Sequence, residues 1–90
     1  DVEGALHTHP DVIEACAFSV PDPRLGEVVG ASVQTRDGKP LTQADMAAHL
    51  DGRLAKFKIP EKLWCQDGPL TRGATDKIDR RAIRAACLET

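Results

Sequence analysis

The sequence predicts an α+β fold in which a small three-stranded sheet is packed with helices. Apolar residues form helix-like and strand-like patterns in the order helix, strand, strand, helix, strand, helix. The chain has 90 residues, of which 41% are hydrophobic and 29% charged, a composition typical of one globular domain. A domain of this kind leaves little room for a deep pocket, so we expect its chemistry to be completed by groups outside the chain.

The first half of the chain predicts one helix and a pair of strands. Apolar residues at helical spacing start at Val2 and stop at Pro10, which cannot continue a helix. Residues 12–20 are apolar on both faces apart from Glu14 and one serine, which is typical of an interior strand. The alternating residues 27–35 predict a half-buried strand that pairs with it. The Pro-Asp-Pro sequence between them is expected to end the first strand, and the connection is longer than a tight hairpin.

The residues of a first helical turn predict a second helix. Thr42 is a good N-cap, and Asp45 three residues later resembles the acidic member of a capping box. Met46, Leu50 and Leu54 then recur every four residues, which predicts one helix with a single apolar stripe.

A third strand is predicted at residues 62–66, and a lysine-bearing loop follows it. Residues 70–80 carry small, polar and turn-forming side chains up to Asp79, the expected N-cap of a last helix. Lys77 therefore stands on a loop as a mobile positive charge, suited to contact a phosphate or a transferring phosphoryl group. The alternative from these residues alone is a solvated surface lysine.

Cysteine and histidine usage argues against disulfides and metal sites. The three cysteines, Cys16, Cys65 and Cys87, are far apart and lie among apolar neighbours. We therefore expect packed thiols in a reducing, cytoplasmic environment. The histidines lack the spacing of metal ligands, so we predict no metal site. No signal peptide or membrane span is visible in the sequence.

The net charge of −2 hides an uneven distribution. Residues 1–52 carry three basic and nine acidic groups, whereas residues 53–84 carry nine basic and four acidic groups. An anionic partner and a solvated surface are both explanations of the basic segment. We predict no nucleic-acid partner, because the segment lacks a helix suited to reading bases and has only Phe57 and Trp64 for stacking.

Four motifs follow one another along the chain: His-Pro-Asp-Val at 9–12, Val-Pro-Asp-Pro-Arg-Leu-Gly-Glu at 20–27, Leu-Ala-Lys-Phe-Lys-Ile-Pro at 54–60, and the loop at 70–80. Together they resemble the C-terminal domain of the adenylate-forming enzymes, which include acyl-CoA synthetases, luciferases and nonribosomal-peptide adenylation domains. The resemblance covers essentially all ninety residues, and the second motif is most similar to the acyl-CoA synthetase branch. It implies that a hinge and a large N-terminal domain lie upstream of residue 1.

The resemblance implies a two-step reaction in which this domain is mobile. A small carboxylic acid attacks the α-phosphate of ATP, with Mg²⁺, to give an acyl-adenylate and pyrophosphate; the thiol of coenzyme A then takes the acyl group. Lys77 matches the family's adenylation lysine. Residues near coenzyme A in the second step match Leu25, Gly26, Phe57 and Lys58. Because these molecules bind mainly to the N-terminal domain, the chain is not expected to be active alone.

The lysine loop departs from the family pattern at two places. The family commonly has Thr-Gly-Lys where this chain has Thr75-Asp76-Lys77, and Leu-Pro-Arg where it has Leu70-Thr71-Arg72. Aspartate restricts the backbone more than glycine does, although it tolerates a left-handed conformation better than most residues. Asp76 also places a negative charge beside the lysine, so it is expected to slow adenylation or to mark a subgroup with altered geometry.

Two alternatives remain open. Within the family, the acceptor of the acyl group is coenzyme A or the phosphopantetheine of a carrier protein. In a different class, the chain is a non-catalytic binding module whose basic segment docks an acidic protein or nucleic acid.

Overall fold

The computed structural model describes residues 2–89 and confirms the predicted order of elements. The described residues form three α-helices and three strands: α1 (Val2–Leu6), β1 (Val12–Asp22), β2 (Gly26–Thr35), α2 (Gln43–Leu50), β3 (Lys62–Gln66) and α3 (Arg80–Leu88). Two short 3-10 helices, Arg36–Gly38 and Lys56–Lys58, lie in the connections. Within this range no helix is long and apolar enough to cross a lipid bilayer.

The sheet has the order β1-β2-β3, which corrects the prediction for β1. β2 is the central strand and pairs antiparallel with β1 and parallel with β3. β1, which was expected in the interior, is an edge strand. It also continues through Pro21, which pairs with Glu27, so the connection to β2 is only residues 23–25. An edge strand tolerates proline because the missing N–H lies on the side without a partner strand.

The free edge of β1 is covered by side chains from two helices. The backbone N–H of Ala17 donates to Glu3 Oε2 at 2.7 Å. Its carbonyl accepts from Arg80 Nε at 2.9 Å, and the carbonyl of Ser19 accepts from Arg84 Nε at 2.8 Å. These groups replace a neighbouring strand, which explains why β1 has the composition of an interior strand and still lies at the edge.

Apolar side chains form a core on each face of the sheet. The α1–α2 core contains Leu6, Val12, Ala15, Ala31, Val33, Met46 and Leu50. The α3 core lies on the other face and contains Cys16, Phe18, Val20, Val28, Leu70 and Ile83, with Trp64 and Ile78 packed against it. The lysine loop is therefore attached to the α3 face through Leu70 and Ile78, the apolar residues near its two ends.

The helix α2 begins as predicted and ends early. The side-chain oxygen of Thr42 accepts from the Asp45 amide, and the Asp45 carboxylate accepts from the Thr42 amide, which completes the capping box. The helix ends at Leu50 because Asp51 leaves the helical conformation with a ψ of 125°, and Gly52 follows with a φ of 82°. Leu54 thus lies beyond the helix, contrary to the predicted stripe, although it still packs against the α1–α2 core.

The three cysteines are not joined in disulfides and lie in three different environments. Cys16 is fully buried, and burial raises its pKa. Cys87 is half-buried on α3. Cys65 is exposed on β3, where its thiol donates to the Leu41 carbonyl at 3.1 Å, so the expectation of a packed thiol is wrong at this position.

Candidate functional site

The lysine loop is an ordered turn that presents Lys77 to solvent. Its base is closed by two backbone hydrogen bonds, in which Asp79 N–H donates to the Thr71 carbonyl at 2.9 Å and Gly73 N–H to the Lys77 carbonyl at 2.8 Å. The side chain of Lys77 is exposed, and its ammonium makes no hydrogen bond or ion pair with any residue in the range 2–89. The backbone is therefore fixed while the charge is available to a ligand.

Asp76 adopts the backbone conformation expected of glycine at this position. Its φ is 63°, in the left-handed region that side chains other than those of asparagine and aspartate rarely occupy. The N–H of Asp76 donates to the Gly73 carbonyl at 3.0 Å, which closes the turn before Lys77. Aspartate is thus one of the few side-chain types that accommodate this left-handed turn, and it adds a negative charge beside Lys77.

Arg72 connects this loop to the sheet. Arg72 Nη1 donates to the backbone carbonyl of Asp76 at 3.0 Å, and Arg72 Nη2 forms an ion pair with Glu14 Oε1 on β1. The second oxygen of the Glu14 carboxylate is buried and has no partner among the described residues. The sequence did not predict this pair. The one signal for it was Glu14, a carboxylate within a run of apolar strand residues.

The four residues expected near coenzyme A lie around the start of β2. Phe57 is 79% exposed and borders a shallow cleft of about 350 Å³ together with Val2, Glu27 and Val29. Lys58 Nζ lies 5.9 Å from the centroid of the Phe57 ring, within reach of a cation–π contact. Gly26 begins β2 at a φ of 84°.

The hairpin before Gly26 is held by an aspartate. The carboxylate of Asp22 accepts hydrogen bonds from the amides of Arg24 and Leu25 at 2.8 and 2.9 Å. The bonds from Leu25 and Arg24 lower the pKa of Asp22, which keeps it charged. The side chain of Leu25 is left 62% exposed at the turn. Phe57 and Leu25 are therefore large apolar side chains that the described chain leaves uncovered.

The structure does not bring Lys77 together with these four residues. The lysine loop is attached to the α3 face through Ile78, whereas the cleft beside Phe57 is bordered by Val2 of α1. The candidate residues thus form two groups on different sides of the sheet.

Part of the positive charge of residues 53–84 contacts other groups within the domain. Arg72, Arg80 and Arg84 all bind backbone carbonyls, and Arg80 also pairs with Glu3 at 2.9 Å. Burial acts to raise the pKa of Glu3, but the hydrogen bonds from Arg80 and the Ala17 amide outweigh it, so the pKa lies below its ordinary value. These internal contacts weaken the case for a basic docking surface.

Two of the three histidines, His9 and His49, are in contact. His9 and His49 contact edge to face with their ring centroids 4.9 Å apart, and His49 Nε2 lies 2.8 Å from Thr8 Oγ1. Burial, followed by the charges of Arg53 and His9, lowers the pKa of His49. Between residues 2 and 89 no three histidine, cysteine or acidic side chains are grouped so that they could hold a metal ion.

The fold and the exposed lysine loop define a small α+β domain that presents a positive charge to solvent. The family profile described as "AMP-binding enzyme C-terminal domain" matches residues 1–74. The chain belongs to this family, which confirms the resemblance inferred from the four motifs.

Comparison with individual proteins extends the match to the end of the chain. The chain is 38% identical over 89 residues to an oxalate–CoA ligase of Arabidopsis thaliana, covering 99% of this chain and 17% of the relative. It is 42% identical over 81 residues to a medium/long-chain-fatty-acid–CoA/3-oxocholest-4-en-26-oate–CoA ligase of Mycolicibacterium smegmatis, covering 90% and 14%. The crystal structure of ATP-bound MatB from Rhodopseudomonas palustris superposes with a TM-score of 0.83 at 32% identity, covering 94% of this chain and 17% of that one. The chain thus spans about one sixth of the length of the proteins that it matches.

Proposed function

We propose that this chain is the mobile C-terminal domain of an ATP-dependent, AMP-forming carboxylate–CoA ligase, in which Lys77 serves the adenylation step. One observation carries the proposal: the ammonium of Lys77 is exposed and unpaired on a loop whose backbone is closed by hydrogen bonds. A large N-terminal domain and a hinge would supply the rest of the active site. The small share of the relatives' length that the chain spans is consistent with such a division.

Lys77 would act through its charge. In the first half-reaction the substrate carboxylate attacks the α-phosphate of ATP, and pyrophosphate leaves. An ammonium close to both groups holds two mutually repelling anions together and neutralises charge that builds on the bridging oxygen. Lysine is suited to this because its charge is compact and its stem is flexible, and Lys77 need not break an existing ion pair to do so.

Leu25, Gly26, Phe57 and Lys58 would serve the second half-reaction, in which the thiol of coenzyme A takes the acyl group and AMP leaves. Phe57 and Leu25 are exposed apolar side chains that the N-terminal domain or coenzyme A would cover in this step. Lys58 adds a positive charge beside Phe57 that fits a phosphate of coenzyme A.

The substrate is proposed only as a carboxylic acid. The two relatives named above differ in the acids that their names give, oxalate in one and medium- to long-chain fatty acids in the other. Such different acids fit a shared C-terminal domain if the acid binds to the N-terminal domain. Mg²⁺ would likewise bind with ATP outside this chain, since the described residues offer no group of metal ligands.

The test separates the two half-reactions in the full-length enzyme. Lys77→Ala is expected to slow acyl-adenylate formation, measured as ATP–pyrophosphate exchange, by about 10²-fold or more, while thioester formation from supplied acyl-adenylate is retained. Lys62→Ala removes another exposed lysine and is the matched control, with no loss expected in either step. An equal loss in both steps for Lys77→Ala would contradict the assigned role. Offering coenzyme A and a phosphopantetheinylated carrier protein side by side identifies the acceptor.

A further inference from the structure

We infer that Arg72 and Glu14 form a positioning pair that holds Lys77 in its working geometry, an inference that rests on the function proposed for Lys77. One nitrogen of the Arg72 guanidinium pairs with the Glu14 carboxylate. Another donates a hydrogen bond to the backbone carbonyl of Asp76 at 3.0 Å. That carbonyl belongs to the peptide group between Asp76 and Lys77. Because a peptide group is planar, holding its oxygen also fixes the direction in which the chain enters Lys77.

Glu14 supplies a rigid anchor for this contact. It lies on β1 opposite Gln34 of the central strand, and its side chain is only 20% exposed. One carboxylate oxygen meets Arg72, while the other is buried without a partner among the described residues. An ion pair with a largely buried, incompletely bonded carboxylate is a poor source of stability, since desolvation offsets the attraction. Its clearest effect is to fix the position of the guanidinium relative to the sheet.

The shape of the guanidinium is essential to this role. Arginine carries several donors in one rigid plane, so it can bind the carboxylate and the carbonyl at the same time. Lysine would keep the charge opposite Glu14, but its single ammonium on a flexible stem does not reproduce the rigid bridge between Glu14 and Asp76. Arg72→Lys therefore separates the positioning of the loop from the pairing of charge.

The experiment uses the full-length enzyme and measures both half-reactions for Arg72→Lys. We expect acyl-adenylate formation to fall about 10- to 100-fold, as for other small displacements of a positioned group, while thioester formation from supplied acyl-adenylate is unchanged. In a double-mutant cycle, Arg72→Lys should add little to Lys77→Ala, because Arg72 acts through the lysine. Asp11→Asn, which breaks the 3.5 Å ion pair of Asp11 with Lys39 elsewhere in the domain, is the matched control.

The outcomes separate this inference from the proposed function. If Lys77→Ala slows adenylation but Arg72→Lys does not, the positioning role is wrong and the proposed function stands. If Lys77→Ala spares adenylation, the proposed function itself fails. Equal losses by Arg72→Lys in both half-reactions, or losses that add in full to Lys77→Ala, would indicate only a structural role. Should Arg72→Lys unfold, Glu14→Gln keeps the shape of the anchor and must show a smaller loss confined to adenylation.

Discussion

Asp76 offers the sharpest test of how the loop before Lys77 works, because its backbone and its charge can be changed separately. Its φ of 63° costs an ordinary side chain about 1–2 kcal/mol, and aspartate or asparagine less. Asp76→Asn keeps the tolerance for this conformation and removes the negative charge next to the ammonium. Asp76→Ala removes the same charge but incurs the full conformational penalty. Comparing the two isolates the electrostatic effect from the backbone effect.

Under the proposed function, we expect Asp76→Asn in the full-length enzyme to raise the rate of acyl-adenylate formation about two- to fivefold, the range for removing one exposed, solvent-screened charge near the reacting anions. Its stability should match that of the unchanged chain, whereas Asp76→Ala should be less stable by about 1 kcal/mol because of the left-handed backbone. ATP–pyrophosphate exchange measures the rate and urea unfolding the stability. A slower Asp76→Asn enzyme, or an Asp76→Ala chain as stable as Asp76→Asn, would refute this reasoning.

Two further predictions concern the stability of the domain. Glu3→Gln should destabilise the chain at pH 7, because the lowered pKa of Glu3 means that folding favours its charged form. The difference in free energy of unfolding between the two chains should shrink as the pH falls below about 4.3, the ordinary pKa of glutamate, and vanish below the pKa of Glu3 in the folded chain. Urea unfolding from pH 7 to 3 measures this difference, and a value that does not change with pH would contradict the prediction. Gly30→Ala should lower the free energy of unfolding by about 1–3 kcal/mol, since the new Cβ would lie 2.5 Å from Val20 Cγ2 and 3.2 Å from the Phe18 and Trp64 rings. An unchanged unfolding midpoint would contradict this and show that the neighbouring side chains can move to make room.

Local patterns made the elements of this fold predictable from the sequence. The capping box at Thr42 and the N-cap at Asp79 depend on residues within three positions of one another, and both form as predicted. The position of β1 depends on contacts across the chain. Its apolar composition indicates that it is covered but does not tell whether the cover is another strand or the guanidinium groups of Arg80 and Arg84. Assignment of β1 to the interior failed for this reason.

The candidate site likewise contains residues that a local motif identifies and residues that only contacts across the chain identify. Lys77 was singled out as a candidate because the motif around it is contiguous, whereas Glu14 and Arg72 are 58 positions apart and only the fold brings them together. The only sign of this pair in the sequence was the carboxylate of Glu14 within an apolar strand, and it did not indicate which residue would pair with it. Under the proposed function, a lysine in a contiguous motif is therefore easier to recognise in this sequence than the residues that hold it in place.

The separation of the two groups of candidate residues has a consequence for the proposed mechanism. Lys77 is tied to the α3 face of the sheet through Ile78 and Arg72, and the cleft beside Phe57 is bordered by α1. Both attachments run through β1, which carries Glu14 for one group and lines the cleft of the other with Ala17. A local loop movement would not exchange one group for the other across the sheet. Under the proposed function, the domain must instead turn as a rigid body between the two half-reactions, and a covalent link that fixes either orientation should abolish one half-reaction and spare the other.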